Sequence, residues 1–336
     1  MARDVKKEWL VLLNPHAGGG KGRHDKQKIQ ELLNQQGFEF KLVTSNFQCH
    51  AIKLAKDMVG QGYRKIIVAG GDGTLNEVVN GVFLQEAVQP EKVKIGMLPV
   101  GTGNDWIKTF GIPENYAEAL EIIKADKCIL QDVGKITFAI KRKQRVRFFA
   151  NMAGFGFDAM VAAKANKLKE KGRSGLLVYL YSLLASYLQY QVCRTRIFVG
   201  DTEINDLVFT ASIGIGKFNG GGMMQAPEAV PNNGMFQVTV IRKIGLWGIL
   251  TNLRGLYSGQ FVKDRRVSTY TTDRVLISGA TKIPGEADGE TLGNSAYEIE
   301  ILPAKLQVIY GNDKYLVHTH EPQLEAKQEV LAGGIS

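Results

Sequence analysis

Residues 66–77 read IIVAGGDGTLNE, an aspartate set among glycines directly after a β-branched run. Glycine carries an entropic penalty wherever it sits, and a plain turn needs one, whereas here Gly70, Gly71 and Gly73 crowd Asp72. The run before them reads as a buried strand and LNEVVNGV after them as a helix, so the glycines mark a strand-to-helix junction. Backbone N–H groups at such a junction are suited to cradling phosphate oxygens. Outward from this stretch the pattern repeats. Candidate strands are WLVLL (9–13), FEFKLVT (38–44), KIIVA (65–69) and KIGMLP (94–99), with helical segments DKQKIQELLNQQ and HAIKLAKDMV between them. That alternation is the signature of βαβ units and a parallel sheet. NPHAGGGKG follows the first strand and VGTGNDW the fourth, while the second ends at Thr44-Ser45. Ligands of open α/β sheets lie at the carboxyl ends of the strands, so three glycine-rich loops collect on one rim.

From about Lys135 alternating strands take over: KITFAI, RVRFFANMA, RTRIFVG, LVFTASIGIG, MFQVTVIRK, RVLISG, AYEIEILP and LQVIYG. This predicts an antiparallel β domain, interrupted by a helix over 176–192 and a helical patch near 245–257. The expected boundaries are 1–133 and 134–304, with a return of the chain to the first domain at 305–325. A frayed tail is expected over 326–336.

A chain of 336 residues with 44% hydrophobic and 22% charged residues has material for two cores, which argues against disorder. Its 42 basic and 33 acidic residues give a net charge of +9, which favours anionic partners. Nucleic acid is disfavoured, because no helix-turn-helix, finger or RNP pattern appears. Cys49, Cys128 and Cys193 lack metal-ligand spacing and read as small hydrophobes in a reducing cytosol. The start, MARDVKKEWLVLLNP, reads as neither signal peptide nor anchor. Ser174–Cys193 is uncharged and long enough to span a bilayer. Tyr179, Ser182, Ser186 and Gln189 nevertheless put a polar stripe along one helical face, so a mostly buried helix is expected.

The glycine loops fail the well-known phosphate signatures. AGGGKG has Pro15 where a P-loop needs glycine, and Gly22 where it needs Ser or Thr. Trp106 and Asn76 occupy the third glycine position of the dinucleotide pattern in their loops. Gly154, Gly156 and Ala159 satisfy that pattern, but inside the β domain and without an acidic residue at the ribose distance.

GGDGTLNEVVNG (70–81), with NPHAGGG upstream, LPVGTGNDW downstream and a late EADGE (286–290), resembles the diacylglycerol-kinase-type lipid kinase family. Sphingosine and ceramide kinases are its distant members. The resemblance covers nearly the whole chain and implies an ATP-binding α/β domain, a β-sandwich holding the acceptor lipid, and a site in the cleft between them. It implies an ATP- and Mg²⁺-dependent transfer of phosphate to a lipid hydroxyl. Asn14, Pro15, His16, Ala17, Gly18, Thr44, Gly70 to Asn76 (Gly70, Gly71, Asp72, Gly73, Thr74, Leu75, Asn76) and Thr102 would line the ATP site. Asp72 would hold Mg²⁺ directly or through water, with Lys21 and Arg23 near the phosphates. Asp288 and Glu290 alternate, so an extended segment points both to one face, and their repulsion suits proton removal. The resemblance makes Glu290 the general base and Asp288 its orienting partner. Alternatives are an NAD kinase-like enzyme and a lipid-binding module that has lost catalysis.

A lipid acceptor implies a protein that is cytoplasmic and peripherally membrane-associated, with a homo-oligomer open. Lys141, Arg142, Lys143, Arg145 and Arg147 read as a basic hairpin tip. Lys164, Lys167, Lys169, Lys171 and Arg173 precede the Tyr-rich helix, and both clusters suit an anionic bilayer. One departure stands out. Bacterial members hold a structural Mg²⁺ beside a loop ending in Asp-Gly, whereas APEAVPNNGMF here ends in Asn233-Gly234 with Glu228 the only acid near in sequence. The expectation is a loop without a tight ion, shaped by Pro227, Pro231 and an Asn-Gly turn.

Overall fold

Every residue of β1 (Trp9–Leu13) is buried, as an interior strand covered by helices requires. It pairs in parallel with β2 (Phe40–Thr44) and β3 (Lys65–Gly70), and β3 pairs in parallel with β4 (Lys94–Pro99). The computed structural model describes residues 5–170, 176–245, 248, 254–279 and 283–317. Helices α1 (Ala17–His24), α2 (Lys26–Gln35), α3 (His50–Gly60) and α4 (Asp72–Leu84) connect these strands. The short α5 (Asp105–Phe110) and α6 (Tyr116–Ala125) follow β4. Ile29, Leu33, Ala55 and Val59 recur at helical spacing and close the first core on the sheet.

The second half contains β5 (Cys128–Ile140), β6 (Lys143–Phe149), β7 (Met152–Gly156), α7 (Phe157–Glu170), α8 (Leu176–Gln189), β8 (Cys193–Val199) and β9 (Thr202–Gly214). After them come β10 (Phe236–Arg242), β11 (Val267–Thr272), β12 (Arg274–Gly279), β13 (Ile283–Ala287), β14 (Glu290–Ser295) and β15 (Tyr297–Ile309). These strands pair antiparallel and curl over a second core that includes Phe149, Phe155, Ile213, Phe236 and Ile299. The chain is thus a parallel α/β sheet followed by an antiparallel β-sandwich. β15 joins them: Gln307 and Val308 pair in parallel with Lys94 and Ile95 of β4, while β5 runs antiparallel along both halves of β15.

Several expected elements differ. RVRFFANMA is two strands, because the Asp288 carboxylate draws off the N–H groups of Ala150, Asn151 and Met152. AYEIEILP and LQVIYG are one strand, β15, with an irregularity between Leu302 and Leu306 where Ala304 takes φ +53. β11, β13 and β14 (VSTYTT, IPGEA, ETLGNS) carry too few apolar residues to announce themselves. Of the helical patch expected near 245–257, residues 254–257 lie in a helical turn that runs to 258, and the tail lies outside the described residues.

The helix α8 departs from the expected polar stripe, of which Gln189 is exposed but the two serines are covered. Ser182 and Ser186 point inward with 0% exposure, whereas Tyr181, Leu184 and Leu188 are 60%, 49% and 84% exposed. Ser182 satisfies its hydroxyl locally by donating to the Val178 carbonyl at 2.7 Å, which lets a small polar residue face the protein. Among the described residues no helix is long and apolar enough to cross a membrane.

The 226–236 loop also has an acid beyond Glu228. Asp132, buried on β5, accepts the Gly234 N–H at 2.7 Å and the Ala304 N–H at 2.8 Å. Hydrogen bonds to this carboxylate, not packing alone, therefore order the turn. Asn233 closes it by accepting the Met235 N–H at 3.0 Å.

Candidate active site

The three glycine loops meet at the carboxyl edge of the parallel sheet. Gly71 and Gly101 approach so closely that a Cβ on Gly101 would come within 2.5 Å of the Gly71 Cα. Gly18, Gly19 and Gly20 lie in the left-handed region at φ 62, 69 and 100, so the segment after Ala17 turns tightly onto the loop of Val100. Asn14 Nδ2 donates to Thr74 Oγ1 at 2.9 Å, and the His16 N–H donates to Asn14 Oδ1 at 2.9 Å. Together these bonds tie the loop after β1 to the junction after β3. Thr44 pairs with Leu13 at the end of β2, and Thr102 is exposed on the same rim. Lys21 lies 5.0 Å over the Tyr116 ring, and Arg23 is exposed.

Asp72 opens α4. Its two oxygens accept the N–H groups of Asp105 and Trp106 at 3.1 and 3.0 Å, which fixes the carboxylate across the rim. Burial, and then the Asp105 carboxylate, push Asp72 up to about 6. Asp105 is itself held by Lys108 at 2.6 Å and by the Gly221 N–H at 2.8 Å, the latter from the sandwich half. Both carboxylates face Gly103. The Asn104 Oδ1 atom, beside Gly71 and Gly101, is buried without a hydrogen-bond partner. A pair of carboxylates and an unsatisfied amide oxygen fit a hard cation that keeps several of its waters. Neither Asn104 nor Asp105 was singled out above, although the Asn-Asp pair directly after Gly103 was the signal for both.

The EADGE turn arrives from the other half. Glu290 is half-buried, and a Cβ on Gly73 would lie 3.2 Å from its Oε1. Asp288 is 8% exposed with φ +48 and accepts four hydrogen bonds, from Asn76 Nδ2 and from the N–H groups of Ala150, Asn151 and Met152, at 2.9–3.0 Å. Burial raises its pKa against those four bonds. The Asn76 amide is directed into this knot, away from the glycine rim, and Leu75 is buried in the first core. Gly70 and Gly71 form the junction and Asp72, Gly73 and Thr74 the first turn of α4, so the expected site residues divide into a rim set and an inner set of Asn76 and Asp288, with Leu75 in the core.

Beside the turn lies an apolar pocket lined by Phe157, Val161, Leu183, Phe209, Ile241 and Phe261 among others. Its polar residues include Asp158, with the Ser212 hydroxyl at 3.2 Å, and Thr239, whose Oγ1 is buried without a partner. Burial raises Asp158 and holds Glu286 well above the usual carboxylate range. Glu286 connects the cavity to the turn. Its Oε2 accepts the Gly289 N–H at 2.6 Å, and its Oε1 packs over Gly154 next to Asp158. Gly154 and Gly156 thus serve close packing against Glu286, Tyr190 and the Phe209 carbonyl, which accounts for the stray dinucleotide-like pattern.

Comparison with known proteins agrees with this layout. Residues 8–136 match the diacylglycerol kinase catalytic domain, and residues 151–310 match the YegS C-terminal NAD kinase beta sandwich-like domain. A diacylglycerol kinase of Staphylococcus carnosus (strain TM300) is 26% identical over 287 residues, covering 85% of this chain and 89% of that protein. A diacylglycerol kinase of Bacillus subtilis (strain 168) is 25% identical, covering 96% and 99%. Among solved structures, a diacylglycerol kinase from Bacillus anthracis str. Sterne superposes with a TM-score of 0.65 at 19% identity, covering 91% of this chain and 97% of that one. Yeast NADH kinase shares the fold more loosely, with a TM-score of 0.53 at 11% identity, covering 98% and 89%. The protein is a lipid kinase, a phosphotransferase with an alcohol group as acceptor. More particularly, the chain belongs to the diacylglycerol-kinase-type lipid kinase family.

Proposed function

We propose that this protein transfers the γ-phosphate of ATP to the hydroxyl of diacylglycerol or a related lipid, with residues 1–133 binding the nucleotide and 134–304 the lipid. The observation that carries this reading is the approach of Glu290, from the sandwich half, to Gly73 beside Asp72. Phosphoryl transfer depends mainly on positioning and electrostatics, and here a base and an anion-holding loop face each other. Glu290 takes the proton as the acceptor oxygen bonds to the γ-phosphorus, and the bond from that phosphorus to the β,γ-bridging oxygen breaks to leave ADP. Asp288 fixes the turn that presents Glu290. Asp72 and Asp105 would hold Mg²⁺, which when bound neutralises phosphate charge. Backbone N–H groups of the glycine loops would hold the phosphates.

The acyl chains fit the apolar cavity, with Asp158, Ser212 and Thr239 offered to the lipid's polar end. The exposed stripe of Tyr181, Leu184 and Leu188 on α8, next to cavity-lining Leu183, suits contact with the bilayer that supplies the acceptor. The exposed Lys141, Arg142, Lys143 and Arg145 suit its anionic headgroups.

The test is transfer of label from ATP onto a total lipid extract, with identification of the product. Glu290→Gln is expected to lower turnover by about 10²-fold or more while ATP affinity barely changes. Turnover within threefold of wild type would assign the base elsewhere.

A further inference from the structure

Arg147 follows the basic hairpin tip in sequence but not in space. Lys141 to Arg145 are exposed, whereas Arg147, near the end of β6, is half-buried against α4. Its Nη2 donates to Asn76 Oδ1, its Nε is buried with no hydrogen-bond partner, and among the described residues no carboxylate lies within ion-pair distance of it. The Glu77 carboxylate acts on this half-buried guanidinium only from beyond ion-pair distance, which compensates little of the cost of partly desolvating the charge. The charge therefore needs a reason at this place.

The reason lies in the Asn76 amide. Its Oδ1 accepts from Arg147 and from Asn80 Nδ2 at 3.2 Å, while its Nδ2 donates to the Phe148 carbonyl and to Asp288 Oδ2, each at 2.9 Å. An amide turned end for end would set its oxygen against a carboxylate and a carbonyl. Arginine has only donors, so its charge-assisted bond admits one orientation, the one that aims Nδ2 at Asp288. Asp288 in turn gathers three N–H groups of the β6–β7 break and carries the turn that sets Glu290 over Gly73. Arg147 thus ties three separate segments together: a strand of the sandwich, a helix of the α/β half, and the acidic turn.

We infer that Arg147 is a positioning residue, which orients Asn76 and through it the Asp288–Glu290 turn. The inference rests on the general-base reading of Glu290. It is tested with a cycle of Arg147→Met, Asn76→Ala and the double variant, together with Arg147→Lys. Turnover, KM for ATP and binding of Mg·AMP-PNP are measured for each, with circular dichroism to verify folding.

Arg147→Met is expected to lower kcat by about 10- to 100-fold, with KM for ATP and AMP-PNP binding within about threefold. The double variant is expected to be no worse than the poorer single one, because residues acting as a unit are not additive. Arg147→Lys, which keeps a cationic donor, recovers part of the loss. If Arg147→Met does not fold, Arg147→Lys takes its place in the cycle with the same non-additivity expected. Losses that multiply in the double variant, an unchanged kcat, or a loss wholly in KM for ATP would overturn the inference. A wild type that labels no lipid overturns the kinase reading and this inference with it, whereas an active wild type with additive losses overturns this inference alone.

Discussion

Asp72 sits where its charge is resisted, held up to about 6 by burial and by Asp105. A carboxyl whose folded pKa lies above its unfolded value binds its proton more tightly in the fold. Its contribution is fully present below the unfolded value and is lost as pH rises through the folded one, here between about 4 and 6. At neutral pH the charged Asp72 therefore opposes folding. Solvent access to the carboxylate keeps the effect to roughly 1–2 kcal/mol, well short of the full pKa shift. Asp72→Asn removes that charge but keeps only one oxygen for the two N–H donors. In chelator, the melting temperature of the variant relative to wild type is expected to move in its favour as pH is raised from about 4.5 to about 7.5. Parallel melting-temperature curves for the two proteins would show that Asp72 is not charged at cost. The same variant is expected to lose Mg·ATP use, since the charge that burdens the fold is the one a cation would neutralise.

At the scale of elements, α8 and the β5–β6 hairpin present different chemistry to the outside. The hairpin closes through Lys141 and Arg142, both at positive φ (48 and 65), in a tight turn that holds cations at its tip. The outer face of α8 is apolar. Replacing Lys141, Arg142, Lys143 and Arg145 by Ser is expected to weaken binding to anionic vesicles and flatten its salt dependence. Replacing Leu184 and Leu188 by Ser is expected to weaken binding about tenfold or more at all salt concentrations, since each buried leucine contributes roughly 1.5–3 kcal/mol. Vesicle sedimentation across a salt series separates the two, and unchanged binding in both variants would leave these faces simply solvated.

Across the whole molecule the two halves share two long strands. β5 and β15 pair from Tyr297–Phe138 in the sandwich to Ile309–Cys128 beside the parallel sheet. Neither half can open without breaking that ladder, so unfolding is expected as one cooperative transition by calorimetry, with Mg·AMP-PNP moving the whole of it upward. Two separated transitions, only one of them shifted by nucleotide, would show that the halves unfold independently.

Local chemistry was enough to read the parallel sheet, because buried strands such as WLVLL are continuous apolar runs and their loops carry glycines that few other structures require. Asp72, Asp288 and Glu290 stood out for the same reason: carboxylates beside glycine are conspicuous in any sequence. Polar strands such as ETLGNS stayed hidden, since their order comes from partners distant in the chain. Position in space was equally hidden. Arg147 shares its run and its strand face with solvated cations, yet its place further along β6, away from the exposed tip, brings it to Asn76, a residue 71 positions away. Ser182 and Leu188 share a helix, and only the surface beneath that helix decides that the serine is covered and the leucine bare. Composition and period depend on neighbours along the chain and can be read there. Which face is inward, and which donor meets which acceptor, depends on contacts that exist only once the chain has folded.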